Sequence, residues 1–258
     1  MSNDYIVKPV YKALQVLLCL GEERRELSMN ELCYRVRLPK TTVFRYLHTL
    51  CAAGFVSHDP KTDLYRIGLR AWALGQSGHE PQRMREVALP LMHELRDSYN
   101  ETVNLGILDS TEVVYVEITE SRRSLRMQAL LGGRDPAYCT ALGKAILAFL
   151  PADQWPAHLP SKPSPRTPKT QLSLPGLQQE LALTRERGFA VDDEENEVGA
   201  CCIGAPIFDA SGRVAAAVSL SAPASRLHGR QIQKIAEAVV QTAVLISGRL
   251  GYSTPRQP

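Results

Sequence analysis

Pro39-Lys40-Thr41-Thr42-Val43-Phe44-Arg45-Tyr46-Leu47-His48-Thr49-Leu50 is the stretch on which the fold turns. Proline suits the first position of a helix, and Gly54 supplies a stop, so a helix is expected over residues 39–53. Val43, Leu47 and Leu50 share one face. Thr41, Phe44, Arg45 and His48 share the opposite face, joined at the N-terminal end by Lys40 and Thr42. A helix that enters the major groove of DNA needs this division. Small hydroxyls and basic groups near its start meet phosphates and base edges, while the apolar face anchors it. The partial positive charge of the helix N-terminus adds to the attraction for phosphate.

The flanking sequence extends the pattern. Upstream, Ser28 and Glu31 have capping-box spacing and open a helix that ends near residues 37–38. Before it, Val10, Ala13, Leu14, Leu17 and Leu18 make one stripe of a helix over residues 9–20. Downstream, residues 55–58 and 64–67 read as two strands around the polar turn 59–63. That hairpin makes a wing, with Lys61 at its tip and His58 and Arg66 on its flanks. Three helices and a two-stranded wing describe a winged helix-turn-helix. Charge agrees: residues 1–78 hold 11 Lys and Arg against 7 Asp and Glu, whereas residues 79–258 hold 19 against 20. A basic module on a near-neutral remainder suits a polyanion partner. A merely solvated helical face, or a protein-docking module of the same fold, are the competing readings.

The chain has 258 residues, which suits two domains. It is 44% hydrophobic and 22% charged, which excludes global disorder. No apolar run approaches the ~20 residues that cross a bilayer, and the N-terminus lacks secretory order. Six cysteines without CxxC spacing read as reduced thiols, so a cytoplasmic protein with no membrane partner is expected. Residues 69–75 look helical and lead into a break at 77–81. A helix over 83–99 follows, with Val87, Leu91 and Leu95 in line and Pro90 at a kink or a first turn. Strands are expected at 103–108, 113–118, 124–131, 189–192, 200–208 and 213–221. Helices are expected at 140–150, 177–188 and 231–250, and seven prolines make 151–175 irregular. Most strands connect by hairpins, which gives an α+β chain with an antiparallel sheet flanked by helices.

Particular motifs resemble the IclR family of transcriptional regulators. Lys12-Ala13-Leu14, the stretch 39–47 and Tyr65-Arg66-Ile67-Gly68 look like its DNA-binding domain. Cys139-Thr140-Ala141-Leu142-Gly143-Lys144-Ala145, residues 188–195 and residues 199–206 look like its effector domain. The similarity runs over about residues 7–250. It implies a winged helix-turn-helix over 7–68, a linker helix and hinge over 69–81, and a GAF-like domain with a six-stranded antiparallel sheet over 82–252. It also implies homodimers or homotetramers on palindromic promoter DNA, a small organic or aromatic acid as effector, and control of a catabolic operon. Carried over residue by residue, it adds Lys12 to the DNA contacts and gives Cys139, Thr140, Ala141, Leu142, Asp192, Cys202, Ser219 and Ser221 as effector contacts.

The local chemistry fits that assignment. Backbone N–H groups near Thr140-Ala141-Leu142 can hold a carboxylate without a charged side chain. Ser219 and Ser221 share one strand face, and Leu125 and Met127 supply apolar wall, with Arg126 alternating between them. The doubled Cys201-Cys202 departs from the single cysteine of the family pattern. Other functions compete less well. Asp192-Asp193-Glu194-Glu195 lacks the further oxygen ligands of a hard-cation site, so no metal is expected. Leu142-Gly143-Lys144 fails as a phosphate loop, because Tyr138 and Ala145 stand where that motif requires Gly and Ser or Thr. A cysteine-based reductase would need a thiol of lowered pKa, and no basic residue lies beside Cys139 or Cys202 in sequence. No cofactor and no enzyme activity are expected. A constitutive DNA-binding protein whose large domain only oligomerises remains the second reading.

Overall fold

The computed structural model describes residues 5–23, 25–76, 79–227 and 229–253, without the side chains of 75–81 and 230. Residues 1–79 and 80–258 form two compact units.

The first unit contains α1 (Lys8–Glu23), β1 (Leu27–Ser28), α2 (Met29–Val36), α3 (Lys40–Ala52), β2 (Val56–Asp59), β3 (Leu64–Ile67) and α4 (Leu69–Gln76). Ser28 accepts from the Glu31 N–H while the Glu31 carboxylate accepts from the Ser28 N–H, so the capping box is complete. Val16, Leu20, Leu27, Leu32, Val43, Leu47, Val56 and Tyr65 form the core. Two expectations need correction. The strands make a three-stranded sheet in the order β1-β3-β2, because Leu27 and Ser28 add to the wing. Helix α1 buries Val16 and Leu20, whereas Val10, Leu14 and Leu18 of the expected stripe are exposed. The helix is apolar on two sides, and packing against its neighbours selects the side that periodicity left ambiguous.

The second unit opens with α5 (His79–Tyr99). The helix starts earlier than expected and runs through Pro90 without a new first turn. A proline removes one backbone bond, and the burial of Ala88, Leu91, Met92 and Leu95 outweighs that loss. Ser77 and Gly78 of the expected break lie outside the described residues. Then come β4 (Thr102–Asp109), β5 (Glu112–Thr119), β6 (Arg134–Pro136), α6 (Ala141–Phe149), α7 (Trp155–His158), α8 (Leu174–Arg187), β7 (Ala190–Asp193), β8 (Ala200–Phe208), β9 (Val214–Pro223) and α9 (Arg230–Arg249). The six strands form one antiparallel sheet in the order β6-β5-β4-β9-β8-β7.

Alternation along the strands decides what each face carries. Val103 and Leu105 of β4, Cys201, Ile203, Ala205 and Ile207 of β8, and Ala216, Val218, Leu220 and Ala222 of β9 pack with α5 and α9. The other face carries Ala217, Val113 and Ala190 beneath α6 and α8. Helix α6 sits close on this face because two glycines admit it. A Cβ on Gly143 would stand 2.1 Å from the Ala137 carbonyl oxygen, and one on Gly204 would stand 2.7 Å from that of Ala141. The strand expected at 124–131 is absent; this stretch is irregular. Its carbonyls are held one at a time, Met127 O by Thr102 Oγ1 at 2.7 Å and Leu125 O by Arg226 at 3.0 Å. The strand β6 forms further on, against β5.

Candidate functional site

In the first unit, α3 presents Lys40, Thr41, Phe44, Arg45 and His48 to solvent, with Thr42 half-buried. Lys61 is exposed in the turn of the wing, where its N–H donates to Asp59 at 2.8 Å. His58 stacks on Tyr65 and lies 2.8 Å from Asp63. Arg66 is exposed and pairs with Glu26 at 3.0 Å. Lys12 is half-buried on α1. Arg37, expected only as the end of helix two, is an exposed cation in the left-handed conformation (φ 52°), two residues before Pro39.

In the second unit, register assembles a cavity. Thr102 pairs with Ser221, Ser221 with Cys202, and Cys202 with Asp192, which makes one row across β4, β9, β8 and β7. Asn104, Ser219 and Gly204 make the next row. Helix α6 covers these rows with Thr140, Ala141 and Leu142 at its N-terminus. Thr140 caps the Gly143 N–H, and Ala141 and Leu142, the first residues of the helix, line the space below. The cavity is small, about 60 Å³, and partly open to solvent. Met127, Thr140, Ala141, Leu142, Asp192, Cys202, Ser219 and Ser221 line it.

Two of the expected residues do not. Leu125 is 68% exposed, its carbonyl rather than its side chain being engaged. Cys139 is fully buried beside Tyr138 and Leu177. Arg126 pairs with Glu120 at 2.9 Å and is not part of the lining. Sequence reasoning missed Thr102, Asn104, Tyr115 and Asp135. Thr102 and Asn104 were legible in principle, since β4 alternates polar and apolar residues. Tyr115 was not. Tyr115 shares the face of Val113 beneath α6, and the register slip between Leu105 and Gly106 sends Glu117, two residues on, to the other face, where it pairs with Arg85.

Asp192 is 2% exposed, and burial pushes its carboxyl up to about 7 against the opposing pull of the Glu195 and Asn196 N–H groups and of Lys144. Burial, reinforced by Asp192, raises the Cys139 thiol to about 12 and the Cys202 thiol well above its ordinary value. Both remain protonated, which removes the thiolate that a reductase requires. The acidic run is internally engaged. Lys144 is fully buried, donates to Val191 O at 2.5 Å and pairs with Glu195, while Lys169 holds Asp193 and Glu194.

Comparison with known proteins identifies the two units. Residues 9–60 match the IclR helix-turn-helix domain and residues 79–248 match the bacterial transcriptional regulator IclR C-terminal domain. The chain belongs to the IclR family of transcriptional regulators. It is 35% identical over 247 residues to the HTH-type transcriptional regulator KdgR of Escherichia coli, covering 95% of this chain and 94% of that one. It is likewise 35% identical over 245 residues to the repressor AllR of Salmonella typhi, covering 95% and 90%. The Thermotoga maritima IclR crystal structure superposes with a TM-score of 0.77 at 31% identity, over 96% of this chain and all of that one. An IclR homologue from Microbacterium hydrocarbonoxydans complexed with 4-hydroxybenzoate gives 0.82 at 26% identity, over 94% and 98%. The IclR-family fold therefore holds throughout, and the protein is a DNA-binding regulator, not an enzyme. No helix among the described residues is long and apolar enough to cross a membrane.

Proposed function

We propose that this IclR-family regulator binds a small organic or aromatic acid in the cavity under α6 and alters its hold on promoter DNA in response. The observation that carries this reading is the convergence of the α6 N-terminus with Ser219, Ser221, Cys202 and Asp192 on one partly open cavity. Helix N–H groups hold a carboxylate without a cation, and the two serines add hydroxyl donors. The homologue complexed with 4-hydroxybenzoate supports an acid of that kind. Control of a catabolic operon follows from the same reading.

In this reading residues 7–68 bind DNA, 69–81 link, and 82–252 sense and oligomerise. Lys40, Thr41, Thr42, Phe44, Arg45 and His48 enter the groove, with Lys12, Lys61, His58 and Arg66 near the backbone. Arg66 must loosen its pair with Glu26 to contribute fully. Two-fold assembly on a palindromic operator is supported by the apolar surface of the first unit: Val10, Leu14 and Leu18 of α1 and Leu69 and Trp72 of α4 are exposed.

A thermal-shift screen of the purified protein against small carboxylic and aromatic acids tests the proposal. The expected result is saturable stabilisation, abolished by Ser219→Ala with Ser221→Ala, and an operator affinity that changes with the same acid. A flat screen with operator binding intact would instead favour a constitutive regulator whose large domain only oligomerises.

A further inference from the structure

The cavity lining contains three carboxyl side chains, Asp135, Asp192 and Glu197, and no Lys, Arg or His. A ligand carboxylate therefore has to be held by neutral donors, and these sit at one end. Helix α6 packs over β8 and β9, with its first N–H groups above Gly204 and near Ser219. Strand order sets the other end. Tyr115 and Asp135 belong to β5 and β6, and β5 lies two strands from β9, roughly 10 Å at ordinary strand spacing, while Asn104 on β4 stands between them, paired with Ser219.

Tyr115, Asp135 and Asn104 each bring an acceptor oxygen to the lining. Burial, aided by Asp135, raises the Tyr115 hydroxyl far above its ordinary range, and its proton is committed to Asp135 Oδ2 at 2.8 Å. The phenolic oxygen therefore only accepts. Asn104 is 3% exposed; its amide nitrogen donates to Ser221 Oγ at 3.1 Å, and its carbonyl Oδ1 has no partner among the described residues. A buried carbonyl left without a donor is unfavourable, and a ligand that brings one gains what the empty site lacks.

We propose that Asn104, Tyr115 and Asp135 are specificity-determining residues that read an O–H or N–H donor on the ligand, so that the cavity selects singly charged hydroxylated acids. The inference rests on the cavity being the effector site. Plain acids leave Asn104 Oδ1 unpaired. Dicarboxylates bring a second anion against Asp135 and offer no proton to the wall. Discrimination of this kind is strong, since the penalty falls on a buried polar group of the protein and not on lost contact area alone.

The test uses the full chain with two series of matched skeletons: benzoate, 4-hydroxybenzoate and terephthalate, then hexanoate, gluconate and adipate. Calorimetric affinities are compared between the wild type, Asn104→Leu and Tyr115→Phe. The hydroxylated member of at least one series is expected to bind ten-fold or more tighter than its plain partner, with the dicarboxylate weakest. Asn104→Leu should shrink that ratio at least five-fold while holding or improving affinity for the plain acid. Tyr115→Phe should shrink it also, and serves alone if Asn104→Leu does not fold. A plain acid or a dicarboxylate binding best, or an unchanged ratio in the folded variants, overturns the inference while leaving an acid-binding site in place. No response to any of the six overturns the effector reading and this inference with it.

Discussion

Asp192 sets the pH behaviour of the cavity. An aspartate held at about 7 in the folded state, against 3.8 for its ordinary value, binds its proton more tightly folded than unfolded. Stability from this group is fully present below about pH 4 and is lost as pH rises through about 7. Asp192→Asn keeps an oxygen for the Glu195 and Asn196 N–H groups and removes the titration. The melting temperature of the wild type is expected to fall relative to that of Asp192→Asn between pH 5 and 8, by a few degrees for a difference on the order of 1 kcal/mol. Parallel curves would show that Asp192 does not titrate in that window. The same sign governs an acid ligand. A bound carboxylate near Asp192 favours its protonated form, so wild-type affinity is expected to weaken above pH 7 while Asp192→Asn binds with little pH dependence. Titration calorimetry across pH 6–9 measures this directly.

Elements hold these residues by close approach and capping, and the corresponding changes should be expensive. Gly143→Ala puts a Cβ against the Ala137 backbone, which cannot swing away as a side chain end would. Overpacking of this kind costs about 1–3 kcal/mol, so denaturant midpoints should fall and ligand stabilisation should go with them. Ser28→Ala removes the capping box of α2 and should cost about 1 kcal/mol in the first unit, leaving ligand binding in the second unchanged. A loss of ligand response in Ser28→Ala would show the two units to be less independent than their separate cores suggest. How far elements were legible beforehand follows from what fixes them. The helix from residue 40 was plain because proline, periodicity and glycine agree there. The stripe on α1 was misjudged because two apolar faces compete and only neighbours choose between them. The stretch 124–131 alternates like a strand, yet single bonds from Thr102 and Arg226 replace the ladder. Within the site, residues 140–142, 192, 202, 219 and 221 were readable from motif and alternation. Tyr115 depended on which face of β5 turns to α6, which its run of apolar residues does not announce, and Asp135 on a strand placed elsewhere.

The whole molecule carries a net charge of +3 that arises in residues 1–78, and this makes a prediction about DNA binding as a function of salt. Each phosphate contact releases condensed counterions, so the slope of log affinity against log salt concentration counts such contacts at about 0.9 apiece. Lys61 stands in the exposed turn of the wing, with no base-reading geometry around it. Lys61→Ala should therefore lower affinity to a similar degree on operator and on unrelated DNA, and reduce the salt slope by about 1 per occupied half-site. Arg45 is exposed on α3, the helix proposed to enter the groove. Arg45→Ala should weaken operator binding by about 1–3 kcal/mol, weaken unrelated DNA less, and so erode the specificity ratio. Paired titrations of operator and scrambled duplex between 50 and 200 mM salt separate the two roles. If Lys61→Ala changed the specificity ratio and Arg45→Ala changed only the salt slope, the wing and not α3 would be the reading element.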